Sequence, residues 1–530
     1  MSALIMKLSP KIERWIPRLA AAVSGLLVSA AFPPLEWWGA AWLGLVPLLL
    51  AVRQTDTRSA ARLGLLAGAC CWLTSIQWLT HVTVVGWIIL SLYCALYFIP
   101  IAVVFAAWTR RFGGATWWRN LALMLLGAAV WAGSEYVRSN LLTGFPWNPL
   151  GATQYRSTPL IQIARWGGVY AVSALVVFVN LAATLTMLRY AVHGWRRTRF
   201  HPEIIFGFLA MAGCVTLGWS VMKNDVVESR KLRVALIQPN IPQDDKWTSD
   251  TVDMIYGRLR DLTTSAAHAE GLHLLVWPET AVPDDVRYSE TSLGLVYEMV
   301  SNGVPLLVGS MDTKWNDDGP RYYNSSFLFD RDGAIVGAYN KRHLVVFGEY
   351  IPFQPYASFI KALTPIQESF SPGFFSAVFD LSPPGITFSV LICFEDTMAK
   401  LARECVRNGA RLLINQTNDA WFDPSSASRQ QMIQCIFRCV ENNVPAARAT
   451  NTGVSCVIDR FGRVRGVLAG PDGQVRVAGY QTFELDVPQA LARLTFYTRH
   501  GDLFAGSCAI IALLGVIVAL RQGRADARRA

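Results

Sequence analysis

Polar and apolar positions divide this chain in two. Up to about residue 224, apolar residues run in long stretches broken by short polar turns; from there to about 501, short apolar runs alternate with amphipathic segments, and one more apolar stretch follows. A helix needs roughly 20 mostly apolar residues to cross a bilayer. The long stretches therefore predict about eight spanning helices, at 14–32, 37–52, 63–80, 84–108, 118–137, 167–188, 204–222 and 503–520. In the middle block, strands are predicted at 233–238, 272–276, 305–309, 326–329, 387–392, 411–415, 446–449 and 454–458, with helices at 250–268, 291–301, 397–408 and 428–442. Such alternation is the pattern of a layered α/β domain. Asp330-Arg331-Asp332-Gly333 and Asp459-Arg460-Phe461-Gly462 read as turns closing hairpins. The predicted organisation is a membrane domain over 1–223, an α/β domain over 224–501, and a last spanning helix with a basic tail over 502–530.

Charge gives the membrane part an orientation, because Lys and Arg collect in short cytoplasmic loops. Lys7, Lys11, Arg14 and Arg18 precede the first stretch, Arg53, Arg58 and Arg62 follow the second, Arg110, Arg111 and Arg119 the fourth, and Arg189, Arg196, Arg197 and Arg199 the sixth. The alternate turns at 33–38 and 80–83 hold neither residue. Both termini are thus expected inside, with Arg521, Arg524, Arg528 and Arg529 marking the second, and the α/β domain on the outer face. The first stretch reads as an uncleaved anchor, since no clear small-residue cleavage site follows it before Phe32.

Composition agrees with this division: of 530 residues, 52% are hydrophobic and only 16% charged, too apolar for one soluble globule. The net charge of +10 hints at a nucleic-acid partner until it is located. Residues 1–223 carry 18 basic against 5 acidic groups and residues 521–530 carry 4 against 1, leaving 26 against 32 for the rest. The middle domain is acidic, so the basic excess is a topology signal and no nucleic-acid partner is expected.

Candidate chemistry lies where apolar runs end in charge. Cys393 follows Ser389-Val390-Leu391-Ile392 and precedes Phe394-Glu395-Asp396; Glu279 follows Val276-Trp277-Pro278; Lys341 opens Lys341-Arg342-His343-Leu344-Val345-Val346-Phe347-Gly348-Glu349-Tyr350. Each alone has an ordinary reading, as a packed thiol, a helix cap and a solvated turn. Together they supply what a thiol needs for acyl transfer: a base for its proton, a cation favouring thiolate, and donors for an oxyanion. Glu279 would be the base, Lys341 the cation, and the Lys341 ammonium with the Phe394 N–H the donors. Glu349 and Glu395 are candidate supporting carboxylates that would orient Lys341 and keep it charged. No CxxC or HExxH pattern occurs, so no metal or cofactor is expected. Cys435 and Cys439, one helical turn apart, read as core packing.

The Glu279, Lys341 and Cys393 segments resemble the nitrilase, or carbon-nitrogen hydrolase, superfamily. Further segments narrow the resemblance to the apolipoprotein N-acyltransferase family: Glu135-Tyr136-Val137-Arg138, Gly144-Phe145-Pro146-Trp147, Gln238-Pro239-Asn240-Ile241-Pro242-Gln243 with Lys246-Trp247, Asn418-Asp419-Ala420-Trp421-Phe422, and Arg448-Ala449-Thr450-Asn451-Thr452-Gly453. It implies an α-β-β-α sandwich facing the periplasm of a multi-pass protein of the bacterial inner membrane. It also implies a Glu-Lys-Cys triad without cofactor, a phospholipid acyl donor, and an acceptor that is the α-amine of S-diacylglyceryl-cysteine on an apolipoprotein. Ping-pong exchange through a Cys393 thioester and a monomeric state are the matching expectations. Trp247, Phe145, Trp147, Asn418 and Arg448 are the candidate substrate-binding residues. Two segments depart from the family pattern: Val346 stands where the family usually has Pro, and Arg429-Gln430-Gln431-Met432-Ile433-Gln434-Cys435 lacks the usual His. The same triad would also serve a membrane-tethered amidase acting on a small C–N substrate, or persist in a lipoprotein-binding escort.

Overall fold

The computed structural model describes residues 14–112, 116–193, 201–246, 249–317, 319–346, 348–350, 369–422, 424–490 and 494–529. The chain forms two compact units, Met1–Asn224 with His500–Ala530, and Asp225–Arg499.

In the first unit the apolar stretches are helical. Five described helical segments are long and apolar enough to cross a membrane: Val84–Phe112, Trp117–Thr143, Ala164–Ala191, Pro202–Asn224 and Leu503–Ala525. Thr57–Ser75 is a 19-residue helix. Its start lies ahead of the expected 63 because Asp56 caps it, accepting from the N–H groups of Arg58 at 2.9 Å and Ser59 at 3.0 Å. Ile16–Ala30 is a shorter apolar helix. The stretch at 37–52, expected as one spanning helix, is instead a 3-10 turn at Trp38–Trp42 followed by the seven-residue helix Val46–Val52. Gly64 and Gly68, at a spacing that favours close helix packing, do admit a neighbouring backbone: a Cβ on Gly68 would lie 2.5 Å from the Ala95 carbonyl oxygen.

The second unit is built on two six-stranded sheets. One has the order β12-β1-β2-β3-β4-β5, with β1 Ser229–Gln238, β2 Leu274–Val276, β3 Leu306–Asn316, β4 Gly319–Phe329, β5 Ile335–Asn340 and β12 Gly479–Pro488. The other has the order β11-β10-β9-β8-β7-β6, with β6 Phe379–Leu381, β7 Ile386–Ile392, β8 Leu412–Thr417, β9 Ala446–Thr450, β10 Cys456–Ile458 and β11 Val464–Val467. At each centre the strands run parallel, β1-β2-β3 and β7-β8-β9, and antiparallel strands flank them.

The alternation of side chains along a strand sorts these residues into layers. Leu232, Val234 and Leu236 of β1 pack with Phe388, Val390 and Ile392 of β7 in the core between the sheets. Ala235 and Ile237, pointing the other way, pack with Ile255 and Leu259 of helix Val252–Ala267 and Leu295 and Met299 of helix Glu290–Val300. Helices Ala399–Arg407 and Ala427–Asn442 belong to the second sheet's half of the unit. The layers are therefore α-β-β-α. Central strands buried on both faces explain why their sequences read as continuous apolar runs. Both expected hairpin turns close, Asp330–Gly333 between β4 and β5 and Asp459–Gly462 between β10 and β11.

Candidate active site

Parallel strands deliver their following loops to one edge of a sheet, and ligand sites form outside those carboxyl ends. Glu279 follows β2, Cys393 follows β7, and Asn418 follows β8, while Lys341 directly follows β5. Gly309 in β3 lets the turn carrying Glu279 lie against the sheet: a Cβ there would sit 2.1 Å from the Pro278 carbonyl oxygen and 2.9 Å from the Glu279 Cα.

The Glu279 carboxylate is held from several sides. Its Oε1 accepts from Lys341 Nζ at 3.2 Å and Asn324 Nδ2 at 2.8 Å, and its Oε2 accepts from the Asn418 backbone N–H at 2.8 Å. Lys341, 1% exposed, also donates to Glu349 Oε1 at 2.8 Å. Burial by itself would drive the lysine toward the neutral amine, but Glu279 and Glu349 outweigh it and hold the ammonium well above its ordinary value. Lys341 is thus a fixed cation. Glu349 carries a second task, since its other oxygen accepts from the Val345 N–H at 2.9 Å and closes the loop after Lys341. In that loop Val346 bridges to Tyr350.

Cys393 sits partly exposed in a left-handed backbone conformation, φ 52°, which is uncommon for a residue with a Cβ and concentrates at functional sites. Its carbonyl oxygen accepts from Asn415 Nδ2 at 3.1 Å and Gln431 Nε2 at 2.9 Å. Burial raises the thiol, Glu279 raises it further, and Lys341 pulls it back. The resting side chain is therefore the protonated thiol, within electrostatic reach of both a carboxylate and a cation. His343 stacks on Phe394 with ring centroids 5.8 Å apart. Burial, with Lys341 adding to it, lowers this imidazole to about 4, so it is neutral at physiological pH.

Glu395 bonds differently from the expectation that it orients Lys341. Its carboxylate accepts from the N–H groups of Ile392 at 2.8 Å, Arg342 at 2.7 Å and His343 at 3.0 Å, and from the Tyr339 hydroxyl. It joins the Cys393 turn to the Lys341 loop through their main chains.

The five candidate substrate contacts fare unequally. Arg448 is fully buried in an ion pair with Asp396 and lies 3.8 Å from Asp419, so it is sealed beneath the site and does not face a substrate. Asn418 is 2% exposed, and its amide joins Gln243 at 2.9 Å and Asn451 at 2.8 Å, leaving it a role in holding Glu279. Trp147 is buried within the first unit, stacked with the half-buried Phe145. Arg138 donates to both their carbonyls at 2.7 Å, and Glu135 accepts from the Leu150 N–H at 2.7 Å. The Glu135 and Arg138 pair thereby ties this segment to its helix, and both side chains are buried. Trp247 lies outside the described residues. Cys435 and Cys439 are buried. Among the described residues, no three His, Cys, Asp or Glu side chains are placed to hold a metal ion.

Sequence reasoning missed Asn324, Asn415 and Gln431 as site residues. Their signal was polarity inside buried elements, a pattern that calls for a partner.

Residues 24–182 match the family model of the apolipoprotein N-acyltransferase N-terminal domain, and residues 233–524 match that of carbon-nitrogen hydrolase. An apolipoprotein N-acyltransferase from Geobacter metallireducens is 36% identical over 531 residues, covering 96% of this chain and 96% of that protein. The chain belongs to the apolipoprotein N-acyltransferase family. Other apolipoprotein N-acyltransferases similar to it come from Brucella melitensis, 32% identical over 86% of this chain and 88% of that one, and Gloeobacter violaceus, 29% identical over 96% and 95%. Similar solved structures include an amidase from Nesterenkonia sp., with 19% identity, TM-score 0.34 and coverage of 52% of this chain and 94% of that one. A nitrilase-superfamily protein from Saccharomyces cerevisiae has 20% identity, TM-score 0.37 and coverage of 50% and 92%.

Proposed function

We propose that Cys393, Glu279 and Lys341 carry out a two-step acyl exchange from a phospholipid to the N-terminal amine of a diacylglyceryl apolipoprotein. The chain is an acyltransferase by family; the route through these residues is our reading. The observation that carries it is the Glu279 carboxylate fixed between Lys341 at 3.2 Å and the Asn418 N–H at 2.8 Å, within electrostatic reach of a protonated, partly exposed thiol.

In the first step the Cys393 sulfur attacks the ester carbonyl as its proton passes to Glu279. The oxyanion is met by the Lys341 ammonium and the Phe394 N–H, donors fixed before charge develops. Collapse breaks the carbon–oxygen bond, Glu279 returns the proton to the leaving oxygen, and lysophospholipid departs from the thioester. In the second step the α-amine attacks the thioester, Glu279 takes a proton from it, and the carbon–sulfur bond breaks. The proton returns to sulfur, leaving an amide and the resting thiol. Because Lys341 is held charged throughout, it acts as a cation and does not relay protons.

Membrane attachment suits these substrates. The catalytic unit is entered from helix Pro202–Asn224 and left into helix Leu503–Arg529, so the enzyme stays with the membrane that holds both lipids. The charge pattern of the loops supports placing the unit on the periplasmic face of the inner membrane, with both termini cytoplasmic. A monomer is sufficient, since one chain supplies every residue of the proposed chemistry.

Intact-mass analysis of a lipoprotein from cells with and without this chain tests the reading. The expected result is one acyl chain fewer at the amino terminus when the chain is absent. An unchanged lipoprotein mass contradicts the proposal.

A further inference from the structure

The segment after β1, Pro239–Lys246, takes no part in the chemistry above, yet it is bonded into the site. The Asn240 N–H donates to the Asn451 carbonyl at 2.8 Å, Ile241 exchanges two bonds with the Asn451 amide, and Gln243 accepts from Asn418 at 2.9 Å. At its end Lys246, 3% exposed, donates to the Glu279 carbonyl oxygen at 3.1 Å and the Thr280 hydroxyl at 2.8 Å. Thr280 adopts a left-handed conformation, φ 41°, that the surroundings must hold in place.

We propose that Lys246 is a positioning residue for Glu279: its ammonium grips the main chain behind the carboxylate, and acyl transfer onto Cys393 depends on that grip. The proposal rests on the reading of Glu279 as the base. Lys341, Asn324 and Asn418 fix the oxygens of this carboxylate; behind it, the Ala281 N–H bonds the Gly309 carbonyl at 2.8 Å and Lys246 bonds the Glu279 carbonyl, so the strained Glu279–Thr280 turn is held from both sides. Displacing a catalytic group by about 1 Å is enough to lower a rate on the order of a hundredfold.

The grip is strongest in the charged form, because a charge-assisted hydrogen bond is roughly twice as strong as a neutral one. Burial lowers Lys246 to about 8, opposed by Glu279 from the end of β2 and Cys393 from the end of β7; Lys341 bonds the same Glu279 from the carboxylate side. Activity should therefore decline as pH rises through about 8. Stability runs the other way. The native lysine gives up its proton below the unfolded value of 10.5, so its contribution rises from about pH 8 upward, and this group does not favour unfolding where the rate declines.

The test is steady-state acyl transfer by the full-length, detergent-solubilised protein from a phospholipid carrying a fluorescent acyl chain to a diacylglyceryl peptide, with kcat and the phospholipid KM followed across the pH range. Lys246→Met is expected to lower kcat on the order of a hundredfold with little change in KM. Lys246→Arg should restore part of the rate and move the alkaline decline upward. Thr280→Val, nearly the same shape, should lower kcat and shift the decline to lower pH. A wild-type kcat and unmoved decline in Thr280→Val overturns the proposal whether or not Lys246→Met folds, as does a Lys246→Met loss carried by KM alone. Glu279→Gln serves as control: full activity in that variant brings down the underlying reading, whereas its inactivity beside an active Lys246→Met brings down only the proposal for Lys246.

Discussion

Beneath Cys393 the decisive residue is Arg448. Asp396, Asp419 and Arg448 are all fully buried, and removing one partner of such a set leaves an uncompensated charge. Arg448→Met should cost about 3–5 kcal/mol at neutral pH, read from the unfolding temperature of the full-length protein. Burial raises Asp396 from 3.8 to about 6 against the pull of Arg448. The native state therefore binds more protons than the unfolded chain across that window, and this group's contribution to stability falls as pH rises through it. Without Arg448 the carboxyl moves higher still, so the variant should lie closer to wild type near pH 5 than near pH 8. A variant equally destabilised at both would contradict the account of this pair.

Single residues also show what sequence can convey. Cys393, Glu279, Lys341 and Glu349 were legible because each follows a strand end, or closes the loop after one, with charge set against apolar residues. The left-handed conformation of Cys393 was not legible, since nothing in Ile392-Cys393-Phe394 demands it. From sequence, Glu395 reads as a supporting carboxylate that orients Lys341. The turn after β7 points it instead at main-chain N–H groups.

Among elements, the buried parallel strands were readable from their apolar runs, whereas β5, β6, β11 and β12 were missed. Residues along β11 alternate between half-buried and exposed, and those of β12 are exposed over much of its first half. Such half-polar edge strands resemble loops until a neighbour pairs with them. The broken stretch at 37–52 failed for a related reason, because hydropathy reports an apolar environment and not continuous helix. The junction of β2 and β3 offers a sharp test. Gly309→Ala places a methyl 2.1 Å from the Pro278 carbonyl oxygen, so the Glu279 turn must shift. Acyl transfer should fall on the order of a hundredfold while Cys393 remains open to alkylation. Unchanged activity would mean that this close approach does not set the position of Glu279.

For the whole molecule, charge separates by region, basic in the loops of the first unit and acidic in the catalytic unit. The topology proposed from that separation is testable with single added cysteines and a membrane-impermeant maleimide. In a background with the native cysteines replaced, Asp472→Cys, in an exposed turn of the second unit, should label in intact spheroplasts, and Arg524→Cys only after permeabilisation. The reverse pattern would invert the assignment. Family membership makes the chain an acyltransferase, and in the proposed route the acyl group rests on Cys393 between its donor and its acceptor.

That claim is tested most directly by the mass of the full-length enzyme after incubation with phospholipid alone. The predicted result is an added acyl chain on the peptide containing Cys393, absent in Glu279→Gln and discharged on adding a diacylglyceryl peptide with a free amine. An enzyme that transfers acyl chains while Cys393 never carries one would contradict the account.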